Sequence, residues 1–282
     1  MNERVIVIGA GVMGRGIAGI SAMASYPTVL VDVVPDQLRS AVESIHRNTE
    51  KGVAKGKVSA ESQAALSHYL TTCTDIKEAS VGADIVIEAV PEIMELKIKI
   101  FEDVASVVDS KTILATNTSS LSVGQLASAL PNPERVIGAH FFNPPHIVKL
   151  LEIITAPQTS DQTLRRLKNF GEDTHREMIV VRDSPGFATS RLGLVIGLEA
   201  IRMLEEGVAS AQDIDRAMEL GYRHPMGPLK LTDLVGLDTR LKIAEYLHEA
   251  LKSEAFRPPD LLRKMVAQGH IGKKSGKGFY DW

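Results

Sequence analysis

The sequence predicts an α/β domain with a parallel sheet, followed by an all-α domain, and two patterns support this prediction. Between residues 4 and 181, short β-branched runs alternate with segments of helical period. Strands that alternate with helices form parallel sheets covered on both faces. The predicted strands are Val5–Ile8, Thr28–Val31, Asp84–Glu88, Thr112–Ala115 and Val136–Ala139. After Asp183 the strand runs stop, and apolar residues recur only at helical spacing.

The helices between the strands are predicted from their apolar period. They start at Gly14 and at Pro35, and a third covers Met94–Val107. Residues 35–70 are more than one crossover helix needs. We therefore expect a helical hairpin that projects from the sheet, with its turn between about Lys55 and Ser59.

The change of pattern also predicts the domain organisation. A first domain of residues 1–183 and a second of residues 184–282 are expected. In the second domain, Gly207 is a natural end for one helix, and Ser210 with Asp213 is a capping pattern for the next.

The composition restricts the classes of partner. The 282 residues carry a net charge of −3, so no positive field attracts nucleic acid or an anionic membrane. No run of about eighteen apolar residues predicts a membrane span, and no Cys/His spacing predicts a metal site. The single cysteine, Cys73, fits a reducing compartment, so we expect a cytoplasmic protein.

A glycine motif, Gly9-Ala10-Gly11-Val12-Met13-Gly14, follows the first strand and opens the first helix. Gly9 permits a tight turn, Gly11 lets a pyrophosphate approach the backbone, and Gly14 lets the helix pack closely on the strand. The pyrophosphate would lie on N–H groups of this turn, so Val12 and Met13 also count as cofactor-binding residues. The strand–turn–helix context predicts a Rossmann-type dinucleotide-binding domain, with a plain glycine turn as the alternative.

An acidic residue ends the second predicted strand and selects the cofactor. Asp32 lies 18 positions past Gly14, where a carboxylate binds the ribose hydroxyls of the adenosine. The carboxylate would repel a 2′-phosphate, and Val33-Val34-Pro35 supplies no arginine to bind one. The predicted cofactor is therefore NAD rather than NADP.

A polar segment, Asn117-Thr118-Ser119-Ser120, lies just past the fourth predicted strand. Ligands bind beyond the carboxyl ends of strands in open α/β sheets, so these side chains should face the site. Turns and helix caps use the same residue types, and the motif alone leaves that alternative open.

His140 and Glu152 form the sharpest candidate pair for catalysis. If the runs that flank the turn 143–146 pair antiparallel about residue 146, these two residues fall opposite each other. Cross-strand Cβ atoms lie about 5 Å apart, so the carboxylate could bond to the imidazole. It would fix the ring's tautomer and raise the basicity of the other nitrogen, as a general base requires. Spacing alone leaves a structural His–Glu pair, or a lone histidine with satisfied hydrogen bonds, as the alternatives.

A polar and basic face is predicted on the first helix of the hairpin. Ser44 and Lys51 are seven positions apart and share one face, with Lys55 one turn further. Such a face could receive phosphate groups of a ligand. A solvated surface is the commoner explanation, and spacing alone favours it.

These motifs together resemble the 3-hydroxyacyl-CoA dehydrogenase family over nearly the whole chain. The length is similar to that of the single-function bacterial 3-hydroxybutyryl-CoA dehydrogenases. The resemblance rests on eight segments: Gly9–Ala18, Asp84–Pro91, Asn117–Leu121, Gly138–Pro144, Asp183–Phe187, Pro225–Pro228, Asp233–Asp238 and Gly272–Trp282.

The resemblance implies roles residue by residue. His140 matches the family's catalytic base, Glu152 its carboxylate partner, and Ser119 the serine that contacts substrate and nicotinamide. The residues that match NAD contacts are Glu92, Lys97, Asn143 and Lys274. Ser44 and Lys51 match contacts to the coenzyme A portion, which favours the ligand explanation of their helix face. A homodimer made through the helical domain is also implied.

One residue departs from the family pattern. Before Arg191 the family usually has an asparagine that hydrogen-bonds near the reacting centre, whereas this chain has Ser190. Ser190 can donate a hydrogen bond, but it is shorter than asparagine and lacks the amide. We keep Ser190 among the catalytic candidates and expect the departure to affect substrate geometry more than the reaction.

The sequence therefore predicts an oxidoreductase that reversibly transfers hydride between the C3 hydroxyl of a short-chain 3-hydroxyacyl-CoA and NAD. Two alternatives are a dehydrogenase of a small hydroxy acid or sugar acid, and a non-catalytic NAD-binding protein. The Ser44/Lys51 face argues against the first, and the His140/Glu152 pair against the second.

Overall fold

The computed structural model describes residues 3–282, and the chain divides into two compact units. The first unit ends at Asp183, and the second runs from Ser184 to Trp282.

The first unit is built on one eight-stranded sheet with the order β3-β2-β1-β4-β5-β6-β7-β8. The strands are β1 (Val5–Ile8), β2 (Thr28–Val31), β3 (Leu70–Cys73), β4 (Ile85–Glu88), β5 (Ile113–Thr116), β6 (Val136–Phe141), β7 (Leu150–Thr155) and β8 (Glu177–Arg182). Strands β1 to β6 pair in parallel, β7 pairs antiparallel with β6, and β8 is parallel to β7. This is a Rossmann-like sheet, as the sequence predicts, extended by two strands beyond β6.

Seven helices cover the sheet in the described part of the first unit. They are α1 (Val12–Met23), α2 (Pro35–Ala54), α3 (Ala60–Tyr69), α4 (Ile76–Ser80), α5 (Met94–Ala105), α6 (Val123–Ser128) and α7 (Asp161–Asp173). The predicted hairpin is present as α2 and α3, and the Ser59 hydroxyl caps α3 by accepting from the Ser62 N–H at 3.0 Å. The first helix begins two residues before the predicted Gly14, because Gly11 already acts as its N-cap.

The central strands are buried on both faces, which explains their unbroken apolar runs. All four residues of β1, β2 and β4 are buried. Strand β3 lies at the edge of the sheet and is only partly buried, so its two threonines gave no apolar run that a sequence pattern could detect. Because β1, β4, β5 and β6 run in parallel, their carboxyl ends lie side by side along one side of the sheet, the carboxyl-terminal edge.

The second unit is helical and has its own apolar core. Its helices are α8 (Thr189–Glu205), α9 (Ala211–Gly221), α10 (Pro228–Val235), α11 (Leu237–Leu251) and α12 (Asp260–Ala267). The predicted caps are present: Gly207 follows α8 with φ +71°, and the Ser210 hydroxyl accepts from the Asp213 N–H at 3.1 Å. The buried Asp233 carboxylate accepts from the N–H groups of Phe279 and Tyr280 at 2.9 Å, which anchors the last residues. Across residues 3–282, none of the helices combines the length and the apolar character that a membrane crossing needs.

Candidate active site

The glycine motif has the geometry that a dinucleotide loop requires. Gly9 has φ +100°, a conformation that side chains disfavour. A Cβ at Gly14 would lie 1.7 Å from the Gly9 carbonyl oxygen, so the helix packs against the loop only with glycine there. A Cβ at Gly11 would meet nothing within 4 Å, which leaves the backbone open to a ligand. Each glycine thus has the local setting that its proposed role needs.

A cleft of about 680 Å³ opens beside this loop. Its walls include Gly9, Gly11, Val12, Met13 and Asp32 from the predicted cofactor set. The Asp32 carboxylate closes the end of β2, where it accepts from the Ala10 N–H at 2.8 Å and from the Val34 N–H at 3.0 Å. An open backbone at a helix N-terminus and a carboxylate at the next strand end fit the pyrophosphate and the ribose of NAD.

The loop after β5 is held by one carboxylate oxygen. Glu92 Oε1 accepts from the Thr118 hydroxyl at 2.5 Å, from the Ser119 N–H at 2.9 Å and from the Ser120 N–H at 3.1 Å. Asn117 also fixes the loop, because its side-chain oxygen accepts from the Phe141 N–H at 2.9 Å. The polar segment 117–120 therefore forms a turn, and that turn aims the Ser119 side chain at β6.

Ser119, His140 and Glu152 form one hydrogen-bonded chain. The predicted register is confirmed, since β6 and β7 pair His140 directly with Glu152. His140 Nδ1 lies 3.0 Å from Glu152 Oε2, and His140 Nε2 lies 3.1 Å from the Ser119 hydroxyl oxygen. His140 is 6% exposed and Glu152 is fully buried. A carboxylate can only accept, so Nδ1 donates to it, and Nε2 of the neutral ring is the acceptor.

Two other predicted NAD contacts in the first unit lie in different settings. Lys97 is 1% exposed, and its ammonium donates to both oxygens of Glu88 at 2.7 and 2.9 Å. Asn143 is exposed in the turn between β6 and β7, where its bond to Pro144 is cis. Asn143 therefore lies at the surface of the unit, whereas Lys97 is buried and bonded to Glu88.

The helix face predicted to receive phosphates is not uniform. Lys51 and Lys55 are exposed, but Ser44 is 5% exposed. Sequence spacing predicts that Ser44 and Lys51 share one face of α2, but it does not show that the rest of the unit covers Ser44. A small cavity of about 80 Å³ next to α2 is lined instead by Arg15, Asn48, Thr49 and His146, among others.

The surroundings of this cavity lower the pKa of one lining residue, His146. Burial lowers the pKa of His146 below its ordinary value, and the nearby Arg15 cation lowers it further. Arg15 and Asn48 are polar groups at a surface that spacing alone did not single out. Arg15 lies on α1 and Asn48 on α2, and a pattern read along the sequence does not show which residues of two helices lie side by side.

Two candidates lie in the second unit. Ser190 is half-buried in the first turn of α8. Lys274 lies in a short turn near the carboxyl terminus, and its ammonium donates to Asp238 at 2.7 Å. Burial raises the pKa of Asp238, but the hydrogen bond and the positive charge of Lys274, together with backbone hydrogen bonds, outweigh it and hold that pKa below its ordinary value.

Sequence reasoning missed one buried acid at this edge of the sheet. Glu88 ends β4 and is fully buried, and it also accepts from the Thr116 hydroxyl at 2.8 Å. An acid at the end of an otherwise apolar strand is an available signal, because a buried carboxylate needs partners. Among residues 3–282, no group of three or more His, Cys, Asp or Glu side chains could hold a metal ion.

Comparisons with known proteins agree with this geometry. Residues 4–184 match the family model described as 3-hydroxyacyl-CoA dehydrogenase, NAD binding domain, and residues 186–282 match the model of its C-terminal domain. The chain is 40% identical to the 3-hydroxybutyryl-CoA dehydrogenase of Bradyrhizobium diazoefficiens over 280 residues, which cover 99% of this chain and 95% of that protein. It is 38% identical to the mitochondrial hydroxyacyl-coenzyme A dehydrogenase of Sus scrofa, covering 99% and 91%.

A solved structure gives the same result. The crystal structure of (S)-3-hydroxybutyryl-CoA dehydrogenase PaaH1 from Ralstonia eutropha has a TM-score of 0.96 at 36% identity, covering 100% of this chain and 99% of that one. The resemblance drawn from the sequence motifs is thereby confirmed. The chain belongs to the 3-hydroxyacyl-CoA dehydrogenase family.

Proposed function

We propose that this protein is an NAD-dependent 3-hydroxyacyl-CoA dehydrogenase that interconverts a short-chain 3-hydroxyacyl-CoA, such as 3-hydroxybutyryl-CoA, and the matching 3-oxoacyl-CoA. The observation that supports this most is the chain Ser119–His140–Glu152 at the edge of the sheet where the cofactor cleft opens. Relatives at about 40% identity carry the 3-hydroxybutyryl-CoA dehydrogenase name, which favours the short acyl chain.

In the proposed reaction His140 is the general base. Its Nε2 accepts the proton of the C3 hydroxyl, and the positive charge that forms on the ring is stabilised by Glu152. Glu152 is buried, so its attraction for this charge is weakly screened. In the reduction of a 3-oxo group, the same imidazolium returns the proton to the developing alkoxide.

The hydroxyl of the substrate needs a second partner that fixes its direction. We assign this role to Ser119, whose hydroxyl already lies 3.1 Å from His140 Nε2. Ser190 is proposed as a further hydrogen-bond donor to the reacting group. Donors that are held in place before the reaction stabilise developing charge without a cost of reorganisation.

NAD is the cofactor, and it supplies the hydride acceptor at its nicotinamide ring when it is bound. The glycine loop with Val12 and Met13 would hold the pyrophosphate, and Asp32 the adenosine ribose. Direct contacts of Glu92, Lys97, Asn143 and Lys274 with NAD belong to the same proposal.

The coenzyme A portion is proposed to bind along α2. Lys51 is exposed and can pair with a phosphate, with Lys55 one turn away on the same side. Ser44 stays in the proposed set as a residue that would contribute from beneath the surface, since it is 5% exposed. A homodimer through residues 184–282 and a cytoplasmic location complete the proposal.

The test is a steady-state assay of NADH oxidation with 3-oxoacyl-CoA substrates of increasing chain length. The matching 3-oxo acids without coenzyme A serve as controls. We expect the highest kcat/KM with acetoacetyl-CoA and a large loss with acetoacetate. Equal kcat/KM for the acid and the thioester would favour a dehydrogenase of small hydroxy acids instead.

A further inference from the structure

Two fully buried ionisable side chains lie next to the loop that carries Ser119. Glu88 ends β4 and Lys97 lies in the first half of α5, with exposed fractions of 0% and 1%. Lys97 donates to both carboxylate oxygens of Glu88 at 2.7 and 2.9 Å. Taking two charges out of water is costly even when they are paired. A pair in this position is therefore weak evidence for stability and calls for another explanation.

Glu88 is fully engaged by groups that shape the site. Beyond Lys97, it accepts from the Val90 N–H at 2.7 Å and from the Thr116 hydroxyl at 2.8 Å. Val90 follows β4 and Thr116 ends β5, so this one carboxylate ties the carboxyl ends of two neighbouring strands. Both strands lead into loops at the proposed active site.

Lys97 continues the contacts toward the reaction centre. Its ammonium lies 3.4 Å from Glu92 Oε2, and the other oxygen of Glu92 accepts from the Ser119 N–H at 2.9 Å. The Ser119 hydroxyl in turn lies 3.1 Å from His140 Nε2. An unbroken series of polar contacts thus leads from Glu88 through Lys97 and Glu92 to the proposed base.

We propose that Glu88 is a positioning residue for the proposed dehydrogenase reaction, on which this inference rests. Glu88 holds the Lys97 ammonium and balances its charge, and this leaves Glu92 bonded to the Ser119 loop. When Glu88 loses its charge, Glu92 is the one carboxylate that remains within ion-pair distance of Lys97 among the described residues. Lys97 then attracts Glu92, and the Ser119 loop loses its acceptor.

A second possible role for Lys97 predicts the opposite effect of a Glu88 substitution on NADH binding. If Lys97 acts mainly as a cation for the cofactor's pyrophosphate, neutralising Glu88 strengthens its positive field. Binding of NADH should then become tighter. If Glu88 positions the loop, the same substitution leaves NADH binding unchanged or weaker and lowers kcat.

The test compares Glu88→Gln, Lys97→Met and the double variant by kcat and KM for acetoacetyl-CoA. We expect each single variant to lose between about tenfold and a hundredfold in kcat, since small misplacements of reacting groups have effects of this size. KM for acetoacetyl-CoA should change less than about threefold, because the coenzyme A contacts are untouched. The double variant should lose no more than Glu88→Gln alone, because it leaves no unbalanced ammonium.

Hydrogen–deuterium exchange supplies a readout that does not need activity. The Ser119 and Ser120 N–H groups donate to Glu92, so Glu88→Gln should speed exchange in residues 117–121. The matched control is Tyr26→Phe, which removes a partly buried hydrogen bond to Asp173 elsewhere in the first unit. It should lower Tm yet leave kcat and exchange in residues 117–121 as in the wild type.

Thr116→Val covers the case in which Glu88→Gln does not fold. It removes one hydrogen bond to Glu88 and should give the same pattern at a smaller size. Unchanged kcat with tighter NADH binding in Glu88→Gln would overturn the proposal. Unchanged exchange in residues 117–121 would overturn it as well. A wild-type protein inactive on acetoacetyl-CoA would refute the proposed function, while the exchange data would still decide whether Glu88 holds the loop.

Discussion

Two regions of the first unit are proposed to meet the same substrate, and they are built in opposite ways. The catalytic cluster, Ser119, His140 and Glu152, is buried or half-buried, and its side chains are joined by hydrogen bonds of 3.0 and 3.1 Å. The basic face of α2, Lys51 and Lys55, is exposed to solvent. One region is held before the substrate arrives, whereas the other has side chains that must be ordered by it.

This difference separates the kinetic parameters that the two regions should control. A group that acts only in the transition state changes kcat, whereas a contact far from C3 contributes equally to the bound substrate and the transition state. Substitutions in the catalytic cluster should therefore lower kcat. Substitutions on the basic face should raise KM.

The largest effect is expected for His140→Gln. Removal of a general base typically lowers the rate by about 10²–10⁴-fold, and glutamine keeps much of the side chain's volume. The check is kcat for acetoacetyl-CoA reduction, with NADH binding measured by fluorescence as the control. A variant that keeps kcat within tenfold of the wild type, with the fold intact by circular dichroism, would remove His140 from the mechanism.

Glu152→Gln should come next, with a loss of about 10²-fold in kcat. Glutamine keeps the shape, but its amide can donate to Nδ1, which favours the tautomer with the proton on Nε2. It also removes the charge that stabilises the imidazolium. Comparison of kcat and KM in the same assay tests this, and a rise in KM alone would contradict the assignment of Glu152 to the catalytic cluster.

Substitutions of Ser190 test the role that the family resemblance implies for this residue. Loss of one hydrogen bond at a desolvated site is worth about 1–2 kcal/mol, so Ser190→Ala should lower kcat and kcat/KM together by about fivefold to thirtyfold. Ser190→Asn restores the residue usual in the family. If serine makes room for a different acyl group, asparagine should shift the chain-length preference. Kinetics unchanged by both substitutions would exclude Ser190 from the site.

Asp32→Ala addresses the cofactor rather than the acyl group. The substitution removes the ribose contact and the repulsion of a 2′-phosphate, so the preference for NAD over NADP should narrow. Because Asp32 also accepts from the Ala10 N–H, both cofactors should bind more weakly, and the ratio of their kcat/KM values is the informative quantity. Wild-type protein with equal kcat/KM for NAD and NADP would contradict this role of Asp32.

The smallest effect is expected for the basic face. Lys51→Ala with Lys55→Ala should raise KM for acetoacetyl-CoA about fivefold at low salt, with kcat unchanged, since exposed charge contacts are individually weak. The rise should fade as ionic strength increases. Lys111→Ala is the matched control. This exposed lysine precedes β5 and so lies at the amino ends of the strands, away from the proposed active site at their carboxyl ends.

The sequence was sufficient where a pattern maps directly onto strand geometry. The symmetry of an antiparallel pair about residue 146 predicted the pairing of His140 with Glu152, and the glycine spacing predicted a loop whose backbone has the geometry of a dinucleotide site. It was not sufficient where burial depends on distant elements. Ser44 is 5% exposed, although its spacing predicts that it shares an exposed face with Lys51. Lys97 is 1% exposed and bonded to Glu88, which no pattern along the sequence indicates.

The second unit shows the same limit in another form. Its helices follow from their apolar period and caps, such as Ser210. The roles of Ser190 and Lys274 came from family resemblance alone, because helical periodicity says which residues are buried and nothing about which ligand they meet. In the first unit, the sequence does offer a signal for a buried charge, because Glu88 is an acid at the end of the otherwise apolar strand β4.

The most direct test of the comparison uses one acyl group on two carriers. His140→Gln and the Lys51→Ala/Lys55→Ala variant are assayed with acetoacetyl-CoA and with an acetoacetyl thioester of N-acetylcysteamine, which lacks the phosphates. We expect His140→Gln to be impaired by the same factor on both substrates, whereas the lysine variant should match the wild type on the short thioester. A lysine variant that loses the same factor of kcat/KM on both thioesters would contradict the separation of binding from chemistry.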